Sequence, residues 1–265
     1  MATVSPATFV DLLHQAVTEP GIISRAYSAF HGYSLGNQIL ALVQCAQRGI
    51  APGPMATFMG WKDKGRYVRK GEKAITLCMP VTCKRTIDTD EGDDTATFTR
   101  FVYRPNWFVV SQTDGQAVDP VSTPAWDRSR ALATLEITEE PFTMLDGNCQ
   151  GYARQRSIAV SPVAAMPVKT TFHEIAHVLL GHTSEGDQSD GDTTPRNLCE
   201  CEAEAVAMLC CAALELPGVE CCRGYIQAWW GVGHEIPERS AQRIFKAADQ
   251  ILRAGAADVS ASALS

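Results

Sequence analysis

The stretch His173-Glu174-Ile175-Ala176-His177 constrains this chain more than any other part of its sequence. On a helix, residues four apart share a face, so both imidazoles converge on one point. Phe172, Ile175, Ala176, Val178, Leu179 and Leu180 give residues 168–182 the apolar spacing of an amphipathic helix, with Gly181 as its stop. A chance H-E-x-x-H arises roughly once in a hundred chains of this size and composition. A solvated charged helix would not be this apolar. Two imidazole nitrogens suit Zn²⁺, the expected cofactor, held by His173 and His177. Glu174 lies about 100° around the helix from His173, so it is placed to act on a zinc-activated water without being a ligand. It is the expected catalytic general base.

A hydrolytic zinc needs a third protein ligand and one open position. Cys199-Glu200-Cys201-Glu202-Ala203-Glu204 opens a second apolar helix, residues 198–214. Glu202 shares a face with Leu198, Val206 and Leu209, and a carboxylate turned toward a core wants a cation. Glu202 is therefore the expected third ligand, with Glu204 as the alternative. Two of the three acids also read as ordinary first-turn residues favoured by the helix dipole. The thiols of Cys199 and Cys201 suit a hydrolytic site less well. His182 falls off the ligand face and reads as a helix C-terminal residue. Tyr225 reads as a helix residue, with a transition-state role as the sharper alternative.

Composition bounds the rest. With 265 residues, 45% hydrophobic and 20% charged, the chain is globular and long enough for two domains. No apolar run is long enough to span a bilayer, so no membrane partner is expected. No basic and apolar leader opens the chain, so a cytoplasmic location is expected. Ten cysteines include the vicinal pairs Cys210-Cys211 and Cys221-Cys222 and no CxxC. That argues for buried thiols rather than a disulfide framework or zinc ribbon. The net charge of -7 is uneven. Residues 1–125 carry 12 Lys and Arg against 11 Asp and Glu, while residues 126–265 carry 11 against 19.

Helical spacing also marks residues 7–18, 34–48, 126–137, 223–230 and 238–254. Residues 74–80 and 98–110 read as strands of a long hairpin turning at the acidic Asp88–Asp94, and residues 157–160 as a short strand. The linker-like DGQAVDPVSTP at 114–124 sets a boundary. The expected class is α+β: an α+β domain at 1–122, a mainly helical domain with a short sheet at 123–254, and a flexible tail at 255–265.

The first domain has its own signal. Residues 60–73 hold six basic residues against two acids, interleaved with Trp61 and Tyr67. Cations that bind phosphates, beside rings that stack on bases, form the chemistry of single-strand binding. Trp61, Lys62, Lys64, Arg66, Tyr67, Arg69, Lys70 and Lys73 are the candidate nucleic-acid contacts. Phe58, Tyr103, Trp107 and Phe108 offer further rings. A basic hairpin also reads as a solvated loop, and a tryptophan as core.

Two motif sets resemble known families. Ser157 through His173-Glu174-x-x-His177 to Glu202-Ala203-Glu204-x-Val206-Ala207 resembles the minimal zincin metallopeptidases of the ImmA/IrrE type. That resemblance implies that a strand over residues 154–160 binds substrate peptide at its edge. Tyr33-Ser34-x-x-Asn37-Gln38, Gly60-Trp61, Gly65-Arg66-x-Val68-Arg69-Lys70-Gly71-Glu72-Lys73 and Ser111-Gln112-Thr113-x-Gly115 resemble the N-terminal domain of the ArdC-type antirestriction proteins. The order of the two parts is also that family's. The resemblance implies single-stranded DNA as a partner and protection of mobile DNA from host restriction. It further implies hydrolysis of a protein or peptide substrate, such as a restriction enzyme or another DNA-bound protein. The alternative expectation is a non-catalytic single-stranded DNA-binding protein whose metal site is structural or vestigial.

Overall fold

Local signals at Thr8 start the first helix, α1 (Phe9–Thr18). The Thr8 hydroxyl accepts from the Asp11 amide at 3.1 Å, and the Asp11 carboxylate accepts from the Thr8 amide at 2.8 Å. This reciprocal box satisfies two otherwise orphaned N–H groups. Pro20-Gly21 then breaks the chain, Gly21 adopting φ +75°. The structure is a computed structural model that describes residues 7–89, 92–119, 122–145, 147–183 and 195–257. The side chains of 84–96 and 99 also lie outside what is described.

The elements that follow are α2 (Ile22–Phe30), α3 (Leu35–Arg48), β1 (Met55–Thr57), α4 (Phe58–Asp63), β2 (Arg66–Val68), β3 (Ile75–Thr89), β4 (Gly92–Val109) and β5 (Thr113–Gly115). After residue 122 come α5 (Arg128–Thr134), β6 (Thr138–Glu139), β7 (Gly151–Arg154), β8 (Ser157–Val160), α6 (Pro167–Leu179), α7 (Arg196–Ala213), α8 (Val219–Gly231) and α9 (Glu238–Gly255). The class is α+β. Among the described residues no helix is long and apolar enough to cross a membrane.

The contacts divide the chain into two units. The first spans residues 40–121. Its sheet has the order β1-β4-β3, with β3 and β4 forming the long antiparallel hairpin. Asn106 is the extra residue where the register shifts between Ile75 and Thr76, a bulge near the base of the hairpin. β2 pairs with β5 in a separate ribbon. Trp61, Ile75, Leu77, Trp107 and Val109 form the core of this unit. The Gln44 amide clamps β3 by donating to the Thr76 carbonyl at 2.8 Å and accepting from the Thr76 amide at 2.9 Å.

The second unit spans residues 7–39 and 122–265. An N-terminal domain running from 1 to 122 was expected, and the packing of α1 and α2 departs from that. The apolar face of α1 (Leu12, Leu13, Ala16, Val17) meets α8 and α9, and α2 meets α7. Glu238 accepts from the amides of Phe9 and Val10, both at 3.1 Å, and Asp249 accepts from the Leu35 amide at 2.9 Å. Arg223 donates to the Val17 carbonyl. These partners are more than 200 residues away in the chain, so local pattern does not reveal them.

α7 lies at the centre of this unit, packed on α2, α6, α8 and α9. Its alanines and cysteines are small enough for neighbouring helices to approach closely. Of the ten cysteines six are buried and none is bonded to another, in keeping with apolar packing. Burial pushes the thiols of Cys201 and Cys211 up to about 12. β6, β8 and β7 form a small sheet in that order, β6 parallel and β7 antiparallel to β8. The first residues of the expected tail are bonded to the fold. Ala256 bridges to Trp126, and the Asp127 amide donates to the Gly255 carbonyl at 2.8 Å. Residues 258–265 lie outside the described residues.

Candidate metal centre

Pro167 occupies the first turn of α6, where its missing N–H costs nothing, and Gly181 follows the helix with φ +75°. Phe172, Ile175 and Ala176 are fully buried. At the edge of that apolar face His173 and His177 stand half-buried one turn apart. Their Nε2 atoms are 3.0 Å from each other.

Opposite them α7 presents Glu200. Its Oε2 is 3.4 Å from His173 Nε2 and 3.6 Å from His177 Nε2. A tetrahedral ion with ligands at roughly 2.0–2.1 Å has edges of about 3.3–3.4 Å between ligand atoms. The three observed separations straddle that value, so the two imidazoles and one carboxylate fit three corners around a small divalent cation. Burial opposes a charge on His173, but the Glu200 and Glu204 carboxylates prevail and raise it to about 9. The two histidines in turn hold the Glu200 carboxyl far below its ordinary range.

The expected third ligand, Glu202, is not in this cluster. Two residues along a helix turn it by roughly 200°, so Glu202 projects from the side of α7 opposite to Glu200 and Glu204. It is fully buried, and its Oε2 accepts from His182 Nε2 at 2.8 Å, with Arg243 at 4.0 Å. A carboxylate turned to the core does want a partner, and here the partner is a third histidine. Burial raises the Glu202 carboxyl, but the bonds from His182 and Ser240 outweigh it and leave the carboxyl lowered. Glu204, the alternative ligand, lies behind His173, 3.3 Å from Nδ1, and pairs with Lys169. Glu200 and Glu204 share one face of α7, four residues apart, and that face is the one turned to His173.

Glu174 is 6% exposed, and burial raises its carboxyl against the pull of His173 and His177. It lies against β7: a β-carbon added to Gly151 would stand 2.9 Å from Glu174 Oε1. Among the described residues β7 has a strand partner on one side only. Tyr225, on α8, has its phenol raised first by burial and then by the charge of Glu200, which places it on the Glu200 side of the site.

The basic stretch of the first unit resolves unevenly. Trp61 is 1% exposed and its indole N–H donates to the Phe108 carbonyl at 2.8 Å, so it is core and offers no stacking face. Arg66 is engaged by Thr113, donating to Oγ1 at 2.8 Å and to the carbonyl at 2.9 Å. Arg69 pairs with Glu72 at 2.9 Å and Asp114 at 3.6 Å. Lys62, Lys64, Lys70 and Lys73 are exposed, with no ion pair among the described residues, and Tyr67 is 63% exposed. The hairpin adds exposed Phe98, Arg100, Phe101 and Arg104, which the basic stretch alone did not reveal.

A family model described as the N-terminal domain of anti-restriction factor ArdC matches residues 14–107. The crystal structure of the antirestriction ArdC protein from the R388 plasmid in metal-free form has 19% identity and a TM-score of 0.53, over 93% of this chain and 94% of that one. The Mn(II)-bound structure of the same protein has 20% identity and a TM-score of 0.50, over 95% and 99%. Comparison with curated proteins gives no match. Residues 14–107 thus match the ArdC N-terminal domain, and nearly the whole chain has the fold of the R388 protein.

Proposed function

We propose that the chain is a single-stranded DNA-binding metallopeptidase of antirestriction type. The observation that carries this reading is the three-atom cluster of His173, His177 and Glu200, with buried Glu174 beside the edge of β7. His173, His177 and Glu200 would hold a divalent ion. Zn²⁺ suits two imidazoles and a carboxylate in a tetrahedral set, and the R388 protein has been crystallised with Mn(II). A divalent ion there supplies Lewis acidity and lowers the pKa of a coordinated water. Glu174, as the general base, takes a proton and passes it to the leaving amine. Its raised pKa moves it toward the range in which a carboxyl both accepts and returns a proton near neutrality. The free side of β7 offers backbone N–H and C=O groups to an extended peptide, which would add to the sheet as a strand.

The DNA-binding part of the reading rests on Lys62, Lys64, Lys70 and Lys73 around exposed Tyr67, with Phe98 and Phe101 as further stacking rings. Arg66 and Arg69 shape that surface through their partners, and Trp61 supports it from beneath. Protection of mobile DNA from restriction would follow from cleavage of a restriction enzyme or another DNA-bound protein.

The test is a metal-dependent peptide cleavage assay with and without single-stranded DNA, comparing the parent with Glu174→Ala. Cleavage abolished in the variant, with metal still bound, is expected. Full cleavage by the pure variant would sink the mechanism. A second reading, a non-catalytic DNA-binding protein with a structural metal, draws on the four free lysines, none of which takes part in the metal cluster. Restriction protection undiminished in Glu174→Gln would favour it.

A further inference from the structure

We propose that His182 and Glu202 form a relay that fixes the His177 imidazole in the one polarity able to bind a metal. His177 has two ring nitrogens with different neighbours. Nε2 faces His173 and Glu200, whereas Nδ1 lies 3.0 Å from Nδ1 of His182. The two rings meet at 67°, edge to face, so this is a polar contact and not a stack. Of two facing ring nitrogens, one must carry the hydrogen and the other accept it.

Glu202 decides which. An ionised carboxylate has no hydrogen to give, so His182 Nε2, 2.8 Å from Glu202 Oε2, is the donor of that bond. A neutral imidazole carries one N–H, and His182 has now spent it. His182 Nδ1 is therefore an acceptor, and the hydrogen between the rings belongs to His177 Nδ1. That leaves a lone pair on His177 Nε2, aimed at the point shared with His173 and Glu200. Reversing the polarity would put a hydrogen on His177 Nε2 and close the site to a cation.

The relay is anchored at its far end. Glu202 is fully buried on α7, Arg243 of α9 lies 4.0 Å from its carboxylate, and Arg243 also donates to the Leu180 carbonyl just after α6. Burying a carboxylate in a helix core is costly unless it is paired. His182 reaches the cluster through His177 Nδ1, and Glu202 reaches it through His182. They are positioning residues that act on the metal through His177.

This inference rests on the metal-site reading, and the experiment separates the two. Zn²⁺ and Mn²⁺ dissociation constants are measured by competition titration for the parent, Glu202→Gln, His182→Phe and the double variant, with Glu215→Gln as a surface control. Each single variant is expected to bind about 10–100-fold more weakly. The double variant should be no more than about threefold weaker than the worse single one, because one chain of bonds is broken in each. Affinities of folded single variants within twofold of the parent would overturn the relay. A parent that binds no divalent ion would sink the metal reading instead. Should the variants fail to fold, long-range ¹H–¹⁵N correlation on the metal-free parent still decides. Hydrogens on His177 Nδ1 and His182 Nε2 are expected, and a hydrogen on His177 Nε2 overturns the relay.

Discussion

Gly151→Ala separates two opposed effects at the point where β7 meets α6. Gly151 does not adopt a left-handed φ. Alanine would therefore fit the backbone and stabilise the fold by about 0.4–1 kcal/mol through the unfolded chain. Sterics oppose this. The new β-carbon would lie 2.7 Å from Thr170 Cγ2, 2.9 Å from Glu174 Oε1 and 3.1 Å from the Ala159 carbonyl oxygen. Ordinary carbon contacts are about 3.5–4.0 Å, so the overlap with Thr170 is close to an ångström. Two of the three neighbours are stiff. Ala159 is backbone in the paired strand β8, and the Thr170 hydroxyl is bonded to the Met166 carbonyl at 3.1 Å. Glu174 is the neighbour that can rotate, so it moves together with the strand edge. Overpacking of this kind costs roughly 1–3 kcal/mol, a factor of about 5 to 150 in the folding equilibrium. In the proposed mechanism a displaced Glu174 costs up to about 10²-fold in rate. Urea unfolding should show a lower midpoint with unchanged slope, and metal-dependent peptide cleavage should fall while metal affinity stays at the parent value. A variant as stable and as active as the parent would refute the argument that β7 is held against Glu174.

Four further outcomes are expected. Glu200→Gln should weaken divalent-metal binding by more than the roughly 10–100-fold typical of changes behind a ligand, and parent-like affinity would remove Glu200 from the site. Converting Lys62, Lys64, Lys70 and Lys73 to glutamate should weaken single-stranded DNA binding and reduce its salt slope by about 0.7 for each phosphate left without its cation. Trp61→Phe should instead cost about 1 kcal/mol of stability with DNA affinity kept, and the reverse pattern would contradict the burial of Trp61. Metal affinity should also depend on pH. His173 of the metal-free site holds its proton up to about 9 and must release it to bind a cation. Affinity should therefore rise by close to tenfold per pH unit below that value and level off above it, and a titration flat from pH 6 to 8 would contradict this.

Much of the site was legible because its signals are local. The i, i+4 spacing of His173 and His177 inside an apolar stretch needs only the pitch of one helix, and α6 ends at Gly181 as its residues dictate. The hairpin of β3 and β4 and the helices α7 and α9 follow from periodicity in the same way. The third member of the cluster was not legible by that route. The rule that a buried carboxylate seeks a cation selected Glu202, which is buried, but its partner is His182 from beyond the end of α6. Glu200, at the half-exposed margin of α7, gives no such signal until α6 and α7 are packed together. Trp61 shows the same limit. Its sequence neighbours are cations, yet its indole closes the core of the first unit onto Phe108. α1 and α2 precede the basic stretch in the chain but pack with helices more than 160 residues away.

The most direct test of the account is anomalous diffraction from a crystal of the protein soaked in Zn²⁺ or Mn²⁺. One strong peak per chain is expected, about 2.0–2.2 Å from His173 Nε2, His177 Nε2 and a Glu200 oxygen, with His182 still bonded to Glu202. A peak coordinated by Glu202, or no peak between α6 and α7 at saturating metal, would contradict it.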